Sequence, residues 1–556
     1  MQAKQSPPLL RNLFPTVLIA FLLPVLLTIF PTTAEASFFD SMKETYHKVE
    51  NQIKHAINKG KYAVTEAEYE EKEETSNSPI QTATPLQTTV PLKTTMSLKK
   101  AIDPNLPDHW NTEWVVEPIF QSEIFVLQTG QENSATIVLI HGLGQVGSKD
   151  WLNVIPALEK DFHVLALDLP GFGNSAAPPG RYSPTNYAKL IHWLTFNYAK
   201  GKVIVVGHSM GGAIALRYAS NFPEDINRVV LVDAAGILQR TAFIKHTAKI
   251  PSPPDSAPKA IQKLGSHIVD LGSSVIELAT ITPDPTILLN KNNDLWNKFF
   301  TGKPNANAAL ALIEEDFSQA IQNFPHHTSI IWGRNDPVAP LRTGQLLTGR
   351  LPNASIAIID DAAHVPMNSH PEIFNEQLKR ALLAGDNEIT IDQNLPPVDI
   401  KNIEPTERPI LTCNNETGVT YSGNFSSVEI KHCTAVTLSD ITADNMLIED
   451  SVVSIVNTTV HSAGIALTAI ESVIVATNST FSGKQGIVSD GSRLDFAGTS
   501  IQGHDVAFSI KKKSRIIMSV SDMSSTTYTG FTHGDYREKN TTLDNVMIKN
   551  KTTTNL

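Results

Sequence analysis

The chain reads as an α/β protein, a mostly parallel sheet covered by helices, followed by an all-β domain of stacked parallel strands. Three observations predict this. Between residues 99 and 386, β-type runs alternate with segments of helical period. One of those runs enters a helix through Gly-His-Ser-Met-Gly-Gly at residues 207–212. After residue 411 the pattern changes to a repeat of about twenty residues.

The first elements precede the sheet. Lys4 and Arg11 lead into the apolar stretch Leu13 to Phe30, and Ala34 and Ala36 supply small residues at cleavage-site spacing. Residues 1–36 are therefore expected to be a signal peptide, which predicts an exported protein, periplasmic, secreted or at the cell surface. The alternative is a membrane anchor formed by residues 13–30, although Pro15 and Pro24 would weaken such a helix. Residues 37–73 place apolar side chains near helical period among Lys and Glu, and residues 74–98 are Thr/Pro-rich. An amphipathic helical segment and then an extended linker are expected. The formal charge of -11 and pI near 5.9 lack the basic footprint of a nucleic-acid partner.

The sheet strands are expected at "SATIVLI", "FHVLALD", "KVIVVG", "RVVLVD", "TSIIWG" and "ASIAIID", each apolar on both faces as a buried parallel strand requires. The third ends in Gly207-His208-Ser209-Met210-Gly211. A strand that turns at once into a helix forces its middle residue into a strained conformation and lifts that side chain above the sheet edge. Ser209 is then a candidate nucleophile at a helix N-terminus, and its hydroxyl needs a base and a carboxylate. Asp336 follows one later strand and His364 the next, so both are brought to the edge where Ser209 stands.

Through these motifs, residues 115–385 resemble the α/β-hydrolase family, in the group that carries "HG" after one strand, "DLPGFGNS" after the next and "GHSMGG" at the turn. The resemblance implies a Ser209–His364–Asp336 triad, with the backbone N–H groups of Leu143 and Met210 as oxyanion hole. His141 and Asp168 are read as structural loop residues. Asp233, which ends "RVVLVD", is the alternative acid, because some members draw the carboxylate from that strand. No cofactor and no metal is expected, and the adjacent His326 and His327 lack partners at zinc-like spacing. About ninety residues, 237–324, separate two sheet strands and contain helical patterns. They predict a helical cap over the site and a hydrophobic ester or acyl substrate.

Residues 387–410 are polar and Pro-bearing, as linkers are. Beyond them, units starting at Ser451, Ser472, Ser492 and Ser514 align. Val453, Ile474, Leu494 and Ile516 form one apolar column, and Ile455, Ala476, Phe496 and Met518 another two residues on. Two columns at period two mean one strand face, so residues 411–530 are expected to form a right-handed parallel β-helix, with 531–556 as a tail closing its end. Cys413 and Cys433 lie one coil apart, a spacing that would set them side by side for a disulfide. Asp490, Asp495 and Asp505 are read as turn or outward-facing residues, so the solenoid is assigned binding, with a polysaccharide or cell-surface partner, rather than catalysis. It is expected to be independent, so that a chain ending near Asp386 stays soluble and active.

The reading is an exported serine hydrolase of carboxylic esters, esterase- or lipase-like. The alternatives are a surface protein using the fold as a scaffold, or a carbon–carbon bond hydrolase or haloperoxidase-type member, which share the triad.

Overall fold

The computed structural model describes residues 99–100, 106–239, 242, 293–322, 324–383, 408–538 and 541–553. The readings for the signal, the helical segment, the Thr/Pro linker, much of the cap and nearly all of the join at 387–410 lie outside these residues.

Nine strands form the first sheet: β1 (Lys99–Lys100), β2 (Asn111–Glu117), β3 (Ser122–Thr129), β4 (Thr136–Ile140), β5 (His163–Leu167), β6 (Val203–His208), β7 (Ile226–Val232), β8 (Thr328–Gly333) and β9 (Ala354–Ile359). Their order is β1-β2-β3-β5-β4-β6-β7-β8-β9, antiparallel as far as the β3–β5 pair and parallel from β5 to β9. Every residue of β4, β5, β6 and β8 is buried. Side-chain alternation then divides each run between two cores. Val138, Leu165, Val203 and Val205 pack against α1 (Pro184–Tyr198) and α2 (Met210–Asn221), whereas Ile137, Leu139, Val164 and Ile204 face Trp151, Phe374 and Leu378 on the other side. Helix α1 begins where Ser183 accepts the Asn186 N–H and Pro184 fills the first turn. Within the span read as a cap, α3 (Asn293–Phe300), α4 (Pro304–Ile313) and α5 (Ser318–Gln322) are helical.

The C-terminal strands stack in parallel. One ladder runs through Ile410–Asn414, Ser427–Lys431, Met446–Glu449, Ile465–Ile470, Thr480–Asp490 and Ser500–Lys512. Another runs through Val436–Ala443, Val452–Val456, Val473–Thr477, Arg493–Ala497 and Ser514–Ser524. In the second ladder Val453, Ile474, Leu494 and Ile516 pair in register, as do Ile455, Ala476, Phe496 and Met518, and all eight are buried. The aligned serines that precede these strands are more than markers of the repeat. The N–H of Cys433 donates to Ser451 Oγ, Ser451 to Ser472, Ser472 to Ser492, and Ser492 to Ser514, at 2.9–3.2 Å. A buried hydroxyl thus satisfies the corner amide of the preceding rung, where no ladder partner exists. Cys413 and Cys433 are bonded as a disulfide, with Cα atoms 6.6 Å apart.

The stack continues past 530: strand Thr529–Glu538 pairs antiparallel with Ser514–Ser524, and a helix, Leu543–Thr553, inserts Leu543 and Met547 into the same core. The more important correction concerns independence. Helix α6 (Leu341–Arg350), just after the Asp336 loop, carries Leu346 and Leu347, and with Leu351 these share one core with Ala497, Ile517 and Val520 of the stack. Arg342 donates to Asp495 Oδ1 at 2.9 Å, to Thr477 Oγ1 at 2.9 Å and to the Ala476 carbonyl at 3.2 Å. Arg350 pairs with Asp522 at 2.5 Å, and the Asn478 amide donates to the Gln345 carbonyl. Asp495 faces outward from its strand as expected, but onto the α/β half, where it is buried. Polar linker composition at 387–410 misses this because contact is made across surfaces that single-chain periodicity does not pair.

Removing Arg342 would leave the Asp495 carboxylate buried without its cation, a loss of about 2–4 kcal/mol. Arg342→Ala is therefore expected to lower the melting midpoint by several degrees. A chain ended at residue 386 should lose still more stability and expose Leu346 and Leu347 to aggregation. Calorimetry and size-exclusion chromatography measure both, and a monomeric truncation melting with the full chain would show that the shared core is dispensable.

Candidate functional site

Ser209 stands between β6 and α2 with φ 53° and ψ -119°, a conformation an L-residue holds only when its surroundings enforce it. Two glycines allow the enforcing contacts. A Cβ on Gly207 would strike the Gly211 carbonyl, and one on Gly211 would strike the carbonyls of Ile140 and His141. Helix α2 is thus pressed against β4 and β6 at backbone distance. The turn is fastened by the Ser209 N–H to the Val232 carbonyl at 2.9 Å and by the Ala235 N–H to the Ser209 carbonyl at 3.1 Å.

The loops after β8 and β9 bring the other two residues to the same edge. His364 Nε2 lies 2.9 Å from Ser209 Oγ, and His364 Nδ1 lies 2.7 Å from Asp336 Oδ2. A carboxylate only accepts, so Nδ1 carries the hydrogen and Nε2 presents its lone pair to the serine hydroxyl. Asp336 Oδ1 accepts the N–H groups of Val338 at 2.7 Å and Ala339 at 2.9 Å, which fixes the carboxylate plane. The arrangement can take the serine proton onto an imidazole oriented by a buried acid.

Asp233 does not reach His364. It is fully buried at the end of β7, where its Oδ1 accepts the Gly333 N–H at 2.9 Å. Burial first, and then the adjacent Asp336 carboxylate, hold its carboxyl well above the usual range. Met210 follows the serine and opens α2, and Gly142, the residue before Leu143, packs against Ser209 Cβ. Neither the Leu143 nor the Met210 amide donates a hydrogen bond among the described residues. His141 is structural as expected, accepting the Leu169 N–H on Nε2 at 3.0 Å and donating from Nδ1 to the Gly142 carbonyl. Asp168 accepts the N–H groups of Ser148 and Asn174. His326 and His327 lie just before β8, away from the serine edge.

Two neighbours were not anticipated. His208, one residue before the serine, donates Nε2–H to the His364 carbonyl at 2.7 Å. Its burial, and then the nearby His364, lower its pKa to about 3. A histidine ending an apolar strand was the only sequence signal, and nothing in the spacing assigned it a partner. Asp150 lies close enough to His141 and His364 to feel both, and burial raises its pKa. A cavity of about 450 Å³ lies elsewhere, between Leu238, Pro340 and Arg342 of the α/β half and Val473, Arg493 and Ile517 of the stack; neither Ser209 nor His364 lines it.

Because His208 binds a proton far less readily folded than unfolded, the unfolded chain takes up the extra proton between pH 6.5 and about 3. Stability should fall as pH drops below 6.5, by up to about 1.4 kcal/mol per pH unit from this group. Urea unfolding of the wild type and His208→Asn across this range measures it. The variant should show a shallower slope, and equal slopes would remove His208 from the acid response.

A family model of the alpha/beta hydrolase fold matches residues 135–371. An uncharacterized protein of Mycobacterium tuberculosis is 27% identical over 259 residues, 44% of this chain and 74% of its own length. Lipase 1 of Psychrobacter immobilis is 26% identical over 246 residues, 43% of this chain and 74% of that protein. The 2-hydroxy-6-oxononadienedioate/2-hydroxy-6-oxononatrienedioate hydrolase 1 of Pseudomonas putida is 26% identical over 257 residues, 44% of this chain and 87% of that protein. These matches fall on the α/β half, which has the α/β-hydrolase fold.

Proposed function

We propose that this protein is an exported serine hydrolase that cleaves carboxylic esters through an acyl-enzyme. The observation that carries the reading is the unbroken hydrogen-bonded chain Ser209–His364–Asp336, set on a strained turn at a helix N-terminus. In this mechanism Ser209 Oγ attacks the ester carbonyl as its proton passes to His364 Nε2. The oxyanion is held by the N–H groups of Leu143 and Met210, each such donor contributing about 3–4 kcal/mol in comparable sites. The imidazolium, oriented by Asp336, gives its proton to the departing alcohol. Water then repeats the sequence in reverse, with His364 as base, and releases the acid.

The helices between residues 293 and 322 form part of a cap that favours a hydrophobic acyl group. The C-terminal stack is a right-handed parallel β-helix, consistent with parallel pairing at a repeat of 20–22 residues. Besides supporting α6, it is the surface for a polysaccharide or cell-surface partner. Carbon–carbon bond hydrolysis is the second reading, favoured by the Pseudomonas putida relative, since it uses the same three residues on a ketone.

Hydrolysis of a short-chain p-nitrophenyl ester is expected from the purified protein, and Ser209→Ala should abolish it. Asp336→Asn should lower kcat by about 10³–10⁴, the loss seen when a triad acid no longer fixes the histidine tautomer. Steady-state kinetics decides. Full turnover by Ser209→Ala would overturn the nucleophile, and a ring-cleavage diketone turned over faster than any ester would establish the second reading.

A further inference from the structure

The alternative acid, Asp233, leaves a residue of buried chemistry that the triad does not use. Its backbone has φ 43°, in the left-handed region, at the last turn out of β7. The Asp233 N–H still bonds the Ile331 carbonyl of the neighbouring strand at 3.1 Å, so this conformation is locked to β8. From there Oδ1 accepts the Gly333 N–H at 2.9 Å, three residues before Asp336, while Oδ2 is buried with no donor to accept from. The carboxyl that bears on it is that of Asp336, three residues beyond the Gly333 amide that Asp233 holds.

The donors around the pair decide which one does. Asp336 receives three hydrogens, from His364 Nδ1 and from the backbone of Val338 and Ala339. Asp233 receives one. Two carboxylates in contact away from water cannot both stay ionised, and the better-solvated one keeps the charge. We propose that Asp233 is a neutral positioning residue whose Oδ2–H is donated to the Asp336 carboxylate, so that the pair carries a single negative charge behind His364.

This rests on the triad reading and deepens it. A shared proton supplies Asp336 with a fourth donor and pins its carboxylate from the side opposite the histidine. It also limits the charge facing the imidazole to one unit. A second carboxylate would bind the His364 proton too firmly for it to be passed to a leaving group. The titratable groups that bear on the pair are Asp336 itself, His364 beyond it, and His208, which touches the His364 carbonyl from β6 and stays neutral.

The test compares Asp233→Asn, which keeps a neutral donor of the same shape, with Asp233→Leu, which removes it. The Asn variant should retain kcat within about threefold of the wild type, and the Leu variant should lose about tenfold to a hundredfold in kcat with KM unchanged. Infrared difference spectra of wild type minus Asp233→Asn at about pH 8 should contain the C=O stretch of a protonated carboxylic acid. That band does not depend on turnover, so it reads the proton even if Asp233→Leu prevents folding or if Ser209→Ala has sunk the triad reading. Absence of the band, an Asn variant as impaired as Asp336→Asn, or a folded Leu variant with wild-type kcat would each overturn the proposal.

Discussion

The site depends on how closely one helix can lie against two strands. Gly207 and Gly211 lack the Cβ atoms that would hold α2 away from β4 and β6. With α2 at backbone distance, Ser209 has no room to relax to negative φ, and its hydroxyl is held where the His364 ring can meet it. Every other contact at this edge is arranged around that fixed point. Gly142 packs on the serine Cβ, His208 anchors the backbone of the histidine loop, and the Val338 and Ala339 amides fix the carboxylate behind the ring. Strain stored at one residue is sustained by packing spread over many.

Three histidines and three carboxylates crowd this edge, and the fold separates their roles by solvation rather than by distance. His141 and His208 both use ring nitrogens on backbone groups, which fixes their tautomers and leaves His364 as the imidazole aimed at the serine. Among the acids, Asp336 is surrounded by donors and Asp233 by almost none, although both are buried. A buried carboxyl with few donors favours its neutral form, and one with many keeps its charge. Equal residue types thus meet very different surroundings at one sheet edge.

Much of this was legible in the chain. The strands, the serine turn, the order Ser209, Asp336, His364 and the two apolar columns of the stack all rest on local periodicity or on rules linking strand ends to one sheet edge, and sequence carries both. The serine column at 451, 472, 492 and 514 was visible, but its role as a ladder of corner acceptors depends on where backbone amides fall between rungs. The choice between Asp233 and Asp336 needed a distance to His364. The contact of α6 with the stack was hidden for a different reason. Leu346, Leu347, Ala497 and Ile517 each look like ordinary members of their own element, and nothing in their spacing shows that the two elements share a core.

That shared core sets an order on folding. Helix α6 follows the Asp336 loop immediately, and its partners Thr477, Asp495 and Asp522 come 135, 153 and 172 residues after the arginines they bind. Contacts of such separation form late, because the loop entropy of closing them precedes any gain from burial. A growing or half-refolded chain already contains Ser209, Asp336 and His364, yet the helix that steadies the acid loop still lacks one side of its packing. In such a chain α6 has only its α/β-side partners until the strands that carry Asp495 and Asp522 have been added.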